Sequence, residues 1–167
     1  LIDRIMQETG VSERAIEMAE KGKDMKGRSH ELSNTKAPTK YVNMTERMVY
    51  IQTQIIKKLA DRASCVFIGR CSDYVLKDRE DCLNVFVYAP NEVRVKNIMD
   101  VLHVSEAQAQ TLIEENDHIL HARYKQMTGT YRGDRHNRHL LIDSSVLGVD
   151  GTAKFIEQFA ALKFAGK

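Results

Sequence analysis

Four apolar residues in a row, Cys65, Val66, Phe67 and Ile68, end abruptly at Gly69 and Arg70. The run is too short for a helix and too continuous for a half-exposed strand. It predicts a central strand buried on both faces, as in a parallel sheet. Gly69 lets the backbone turn without a Cβ, and Arg70 then leaves the strand at its carboxyl end. In open α/β sheets ligands bind at that edge, and an arginine there calls for an anion.

The rest of the chain alternates between helical and strand periods. Met44, Met48, Ile51, Ile55 and Leu59 recur at helical spacing and predict a long amphipathic helix reaching about Arg62. A second strand is expected over 83–89, closed by Pro90, with Asn91 capping the next helix. That helix carries Val95, Ile98, Met99 and Leu102 on one face. Ser105 and Gln108 have capping-box spacing and open a polar helical stretch to about Met127. Gly129 and Gly133 flank a basic turn, a third strand covers 140–142, and a last helix beginning near Thr152 buries Phe155, Ile156, Phe159 and Leu162. Ahead of all this, residues 2–22 predict two short helices, and 20–43 predict a long mobile loop without apolar period. Strands separated by helices imply a parallel sheet flanked by helices, with right-handed crossovers. The loops after Ile68, Ala89 and Ile142 should then line one crevice.

With 167 residues, the chain has the size of one domain. Its 25 Lys and Arg against 23 Asp and Glu give a net charge of +2, too even to argue for nucleic-acid binding. No apolar run approaches the roughly 20 residues that span a bilayer. Three cysteines without metal-type spacing predict reduced thiols in a cytoplasmic protein. No metal site is expected, since His118 and His121 have no second ligand pair behind them.

Three arginines carry the candidate chemistry. Arg70 ends the first strand, Arg94 opens the helix after the second, and Arg123 lies in the polar helix before the Gly turn. Phosphoryl transfer needs such groups, because charge spreads over the phosphate oxygens in the transition state. Arg70 could equally serve as a structural partner for Asp73. Arg132, Arg135 and Arg138, with His136 and His139, form a short basic run whose one aromatic neighbour in sequence is Tyr131, and it predicts a solvated turn. No G-x-x-x-x-G-K-[ST] phosphate loop occurs in the 167 residues.

The blocks GRCSDYVL, LNVFVYAP, EVRVKNIM, ARYKQMTG and IDSSVLGVDGT, in this order over most of 44–167, resemble the bacterial cytidylate kinase-like family, relatives of nucleoside monophosphate kinases. The opening LIDRIMQETGVSE fits as well. The resemblance implies a P-loop kinase fold with a helical lid: an acceptor-binding region over 1–43, a core over 44–102 and 139–167, and a lid over 103–138. It also implies that a strand, a phosphate loop and a helix precede Leu1. Phosphoryl would pass from ATP, with Mg²⁺, to a small acceptor such as CMP. A non-catalytic nucleotide-sensing or partner-binding relative is the alternative.

By the same resemblance Arg70 and Asp73 meet the acceptor, and Arg70 and Arg123 act on the transferring group. Arg94, Arg123, Tyr124, Ser144 and Gly148 border the ATP. True cytidylate kinases carry an aspartate directly after the Gly-Arg, where Cys71 stands here. The expected partners are a nucleotide or other small phosphate acceptor, with no nucleic acid and no membrane. Self-association into a homo-oligomer stays open.

Overall fold

The structure is a computed structural model, and it describes residues 44–166. The expected helices over 2–22, the loop over 20–43 and the acceptor region over 1–43 lie outside the described residues. The chain divides into two compact units, with the boundary between Val75 and Leu76.

In the first unit, helix α1 (Met44–Arg62) forms as its apolar period predicts. Met48, Ile51, Ile55 and Ile56 are buried, and the last two have almost no accessible surface. Arg62 sits in the last turn, where a cation complements the helix dipole. The expected strand over 65–68 does not form: 64–68 have no regular structure, and Val66 and Ile68 are 92% and 90% exposed. A strand exists only as part of a hydrogen-bonded ladder, and no described segment supplies one to these residues. The chain then makes a left-handed turn and enters the four-residue helix α2 (Ser72–Val75).

The second unit holds the sheet. Strands β1 (Val85–Tyr88) and β2 (Leu140–Asp143) pair in parallel, with Val85 opposite Leu140 and Tyr88 opposite Asp143. A parallel pair needs a long crossover. Here it is supplied by two helices, α3 (Asn91–Leu102) and α4 (Glu106–Thr128), and a 3-10 turn over Arg135–Asn137. His103, in the left-handed conformation, ends α3 by donating its backbone N–H to the Met99 carbonyl. The capping box opens α4: the Gln108 backbone N–H donates to Ser105 Oγ, and the Ser105 N–H donates to Gln108 Oε1. Gly129 closes α4 at φ +73°, a backbone state that glycine adopts without a Cβ penalty. Between the two helices, Val95, Ala109 and Ile113 are buried, with Ile98, Met99 and Val104 packed on them.

Two terminal details differ from the sequence reading. Pro90, not Asn91, precedes α3 as its cap, and Asn91 Nδ2 instead donates to Gln110 Oε1 on α4 at 2.9 Å. Helix α5 (Ser144–Phe164) begins eight residues ahead of Thr152, because Asp143 Oδ1 accepts from the Ser145 N–H and Oγ and caps it. Gly148 then interrupts the helix at φ +67°, ψ −179°. Along this helix Ile156 and Phe159 are half-buried, whereas Phe155 is exposed and Leu162 is 77% exposed, so the expected burial of that apolar face is met only in part. None of the described helices is long and apolar enough to cross a membrane.

Candidate functional site

Arg70 sits in an unusual piece of backbone. Gly69, Arg70 and Cys71 follow one another at φ +67°, +59° and +53°. Left-handed backbone at two consecutive non-glycine residues costs about 1–3 kcal/mol each and persists only where surrounding contacts over-determine it. Those contacts are visible here. The Gly69 carbonyl accepts from the Ser72 N–H at 3.1 Å and from Ser72 Oγ at 2.9 Å. The buried Gln52 of α1 donates Nε2 to the Arg70 carbonyl at 3.5 Å. Arg70 is thus presented by a strained turn, and not from a strand end as its sequence context predicts. Asp73 lies in the first turn of α2, three residues on. Cys71 is buried.

Arg94, in the first turn of α3, grips Asp117 of α4 through two parallel hydrogen bonds of 2.8 and 2.9 Å. A second guanidinium, that of Arg132 in the turn after α4, stands 4.0 Å from the same carboxylate. The hydrogen bonds from Arg94 hold the Asp117 carboxyl below the usual carboxylate range, with the charges of Arg94, Arg132 and His121 adding to them against partial burial. The same hydrogen bonds raise the Arg94 guanidinium above its ordinary value.

Arg132 also lies over the Phe86 ring of β1, 5.8 Å from its centroid, and Arg138 lies 5.6 Å from it. The Arg138 guanidinium is shared further: it stands 5.5 Å from the buried Tyr124 ring and donates to the Arg132 carbonyl at 2.9 Å. Arg132 and Arg138 are therefore half-buried and packed on an aromatic, which corrects the solvated-turn reading for both. Arg135 is exposed, as a solvated turn residue should be. Asp134 caps the 3-10 turn by accepting from the His136 N–H, and its carboxylate meets the His136 ring at 2.7 Å.

The remaining expected site residues also lie in the second unit. Arg123 is half-buried on α4 beside Tyr124. Ser144 joins the ends of the two strands: its Oγ donates to the Tyr88 carbonyl at 3.1 Å, so the carboxyl ends of β1 and β2 meet at one sheet edge. Gly148 forms the break in α5. Arg70 and Asp73 belong to the first unit. Sequence reasoning missed Asp117, Arg132, Arg138 and Phe86. The basic run was visible, but the aromatic it packs on lies more than 40 residues earlier, beyond the reach of local pattern. No group of three His, Cys, Asp or Glu among the described residues could hold a metal ion.

A parallel strand pair bridged by helices, with arginines gathered along the crossover, defines a mixed α/β protein compatible with a kinase-like fold. The model of the cytidylate kinase-like family matches residues 1–146, and the chain belongs to that family. A crystal structure of an uncharacterized protein from Eubacterium ventriosum ATCC 27560 has the same fold, with a TM-score of 0.58 and 21% identity. The match covers 66% of this chain and 65% of that one. No curated protein matches significantly.

Proposed function

We propose that this protein transfers the terminal phosphoryl group of ATP to a nucleoside monophosphate such as CMP. The match of the family model over 1–146 carries the reading, since membership points to nucleotide kinase chemistry. Kinases of this family generally use ATP and Mg²⁺. The described residues fit the polyphosphate by charge: Arg94 and Arg132 share a single carboxylate and are a third exposed. Mg²⁺ would be held chiefly by nucleotide phosphates and water, as it is in many phosphoryl-transfer sites.

In this reading Arg70 and Asp73 meet the acceptor, with Arg70 and Arg123 on the transferring group. Arg94, Arg123, Tyr124, Ser144 and Gly148 border the donor nucleotide, and residues 103–138 form the lid. Catalysis is positioning and electrostatic stabilisation by arginines, without a covalent protein intermediate. The test, on the intact protein with the segment expected ahead of Leu1, is ADP release from Mg-ATP in the presence of CMP, dCMP, UMP or AMP, monitored by a coupled assay. ADP release that depends on one of these nucleoside monophosphates is expected. Nucleotide binding without turnover would instead assign the chain to a non-catalytic, nucleotide-sensing role.

A further inference from the structure

The arginine pair in the second unit is occupied by the protein's own carboxylate. We propose that Asp117 is an internal competitor for Arg94 and Arg132, surrendering them to a polyphosphate when one binds. The proposal rests on the reading above that Arg94 serves the donor's phosphates.

The geometry supports an exchange more than a permanent bridge. Asp117 gives both oxygens to the Arg94 fork at 2.8 and 2.9 Å, and reaches Arg132 only at 4.0 Å. One negative charge thus serves two guanidiniums unequally. A phosphate brings more oxygens and more charge than a carboxylate, so it can satisfy two forks at once. Arg132 has a contact besides Asp117, since its guanidinium lies over the Phe86 ring. Both arginine side chains are 35% exposed and Asp117 is 28% exposed. An incoming anion can reach them, and the released carboxylate can regain water. A fully buried pair would resist this, since breaking it strands a dehydrated charge.

The exchange would also be felt in the fold. Arg94 is on α3, Asp117 on α4 and Arg132 in the turn beyond, so a polyphosphate replacing Asp117 would move the ionic link from α3–α4 to α3–turn. The apolar contact of Val95 with Ala109 and Ile113 still holds the two helices together. The nearby acid Asp134 is engaged by its own turn through His136, which leaves Asp117 as the carboxylate the described contacts give this pair.

The test is calorimetric titration of the 167-residue chain with tripolyphosphate at fixed ionic strength. Asp117→Asn is expected to bind about fivefold tighter or more, as removal of one partly exposed competing ion pair implies. Glu115→Gln removes an exposed charge from the same helix and should change affinity about twofold at most. Arg132→Ala in the Asp117→Asn background should abolish the gain, whereas Arg135→Ala should keep it. Equal or weaker binding by Asp117→Asn, or no binding by either protein, would overturn the proposal.

Should Asp117→Asn fail to fold, carboxyl-detected NMR on the wild-type chain decides. The Asp117 side-chain carbon is expected to move towards its hydrated position as tripolyphosphate is added. An unmoved signal at saturation refutes the exchange. Tripolyphosphate results stand apart from turnover: absent kinase activity with a tighter Asp117→Asn would reject the kinase reading and keep the exchange.

Discussion

Replacing Phe86 by leucine tests whether the basic turn is built into the fold. Phe86 lies in β1 opposite Leu141, with the guanidiniums of Arg132 and Arg138 at 5.8 and 5.6 Å from its ring. Each cation–π contact of this kind contributes about 0.5–1 kcal/mol at an exposed site and more when desolvated. Both arginines are half-buried, so the two contacts together should contribute about 1–2 kcal/mol. Leucine keeps an apolar side chain on the strand, and the swap itself should cost under about 1.5 kcal/mol. Phe86→Leu is therefore expected to lower stability by about 2–3 kcal/mol in urea unfolding, with an unchanged slope. A double-mutant cycle with Arg138→Met isolates the contact, and its coupling should be about 0.5–1 kcal/mol. Arg135→Ala, at an exposed position, should stay within about 0.5 kcal/mol of wild type. Coupling indistinguishable from zero would refute the reasoning that the Phe86 ring holds Arg138.

Three further outcomes are expected. Gly148→Ala should cost about 1–3 kcal/mol, because φ +67° with ψ −179° is a region that only glycine occupies freely, while Gly133→Ala, whose added Cβ would meet the Phe86 ring at an ordinary 3.8 Å, should be nearly neutral; thermal melts compare them. Burial first, and Lys163 second, lower the His139 pKa, and its Nδ1 accepts the Asn84 N–H at 2.9 Å. The folded protein thus binds that proton less readily than the unfolded chain. Its stability contribution should be complete above about pH 6.5 and lost as pH falls below that, a slope that His139→Gln should flatten in melts at pH 7.5 and 5.5. Arg70→Ala should lower kcat/KM for the acceptor by about 2–4 kcal/mol with Arg70→Lys recovering little, and a large fall in Tm with intact kinetics would show a structural role instead.

Local chemistry determined much of this chain. The helical period of Met48, Ile51 and Ile55 forms α1, Ser105 and Gln108 form their capping box, and Gly129 ends α4 where a left-handed residue is required. The apolar runs before Pro90 and Asp143 became β1 and β2, since each found the other as a ladder partner. The run over 65–68 shows the limit of that logic: its composition is that of a buried strand, but a strand is a property of two segments, and no described segment pairs with it. The site divides in the same way. Arg94 and Arg123 could be picked out as arginines on helices of the crossover. That Arg94 is held by Asp117, 23 residues on, and that Arg132 and Arg138 share the Phe86 ring, could not. Spacing along a helix or strand fixes which residues share a face over three or four positions. Arg94 meets Asp117 because α3 and α4 pack on one another, and the basic turn meets Phe86 because the crossover returns the chain to lay β2 beside β1, so the tertiary structure alone chose the partners of these charges.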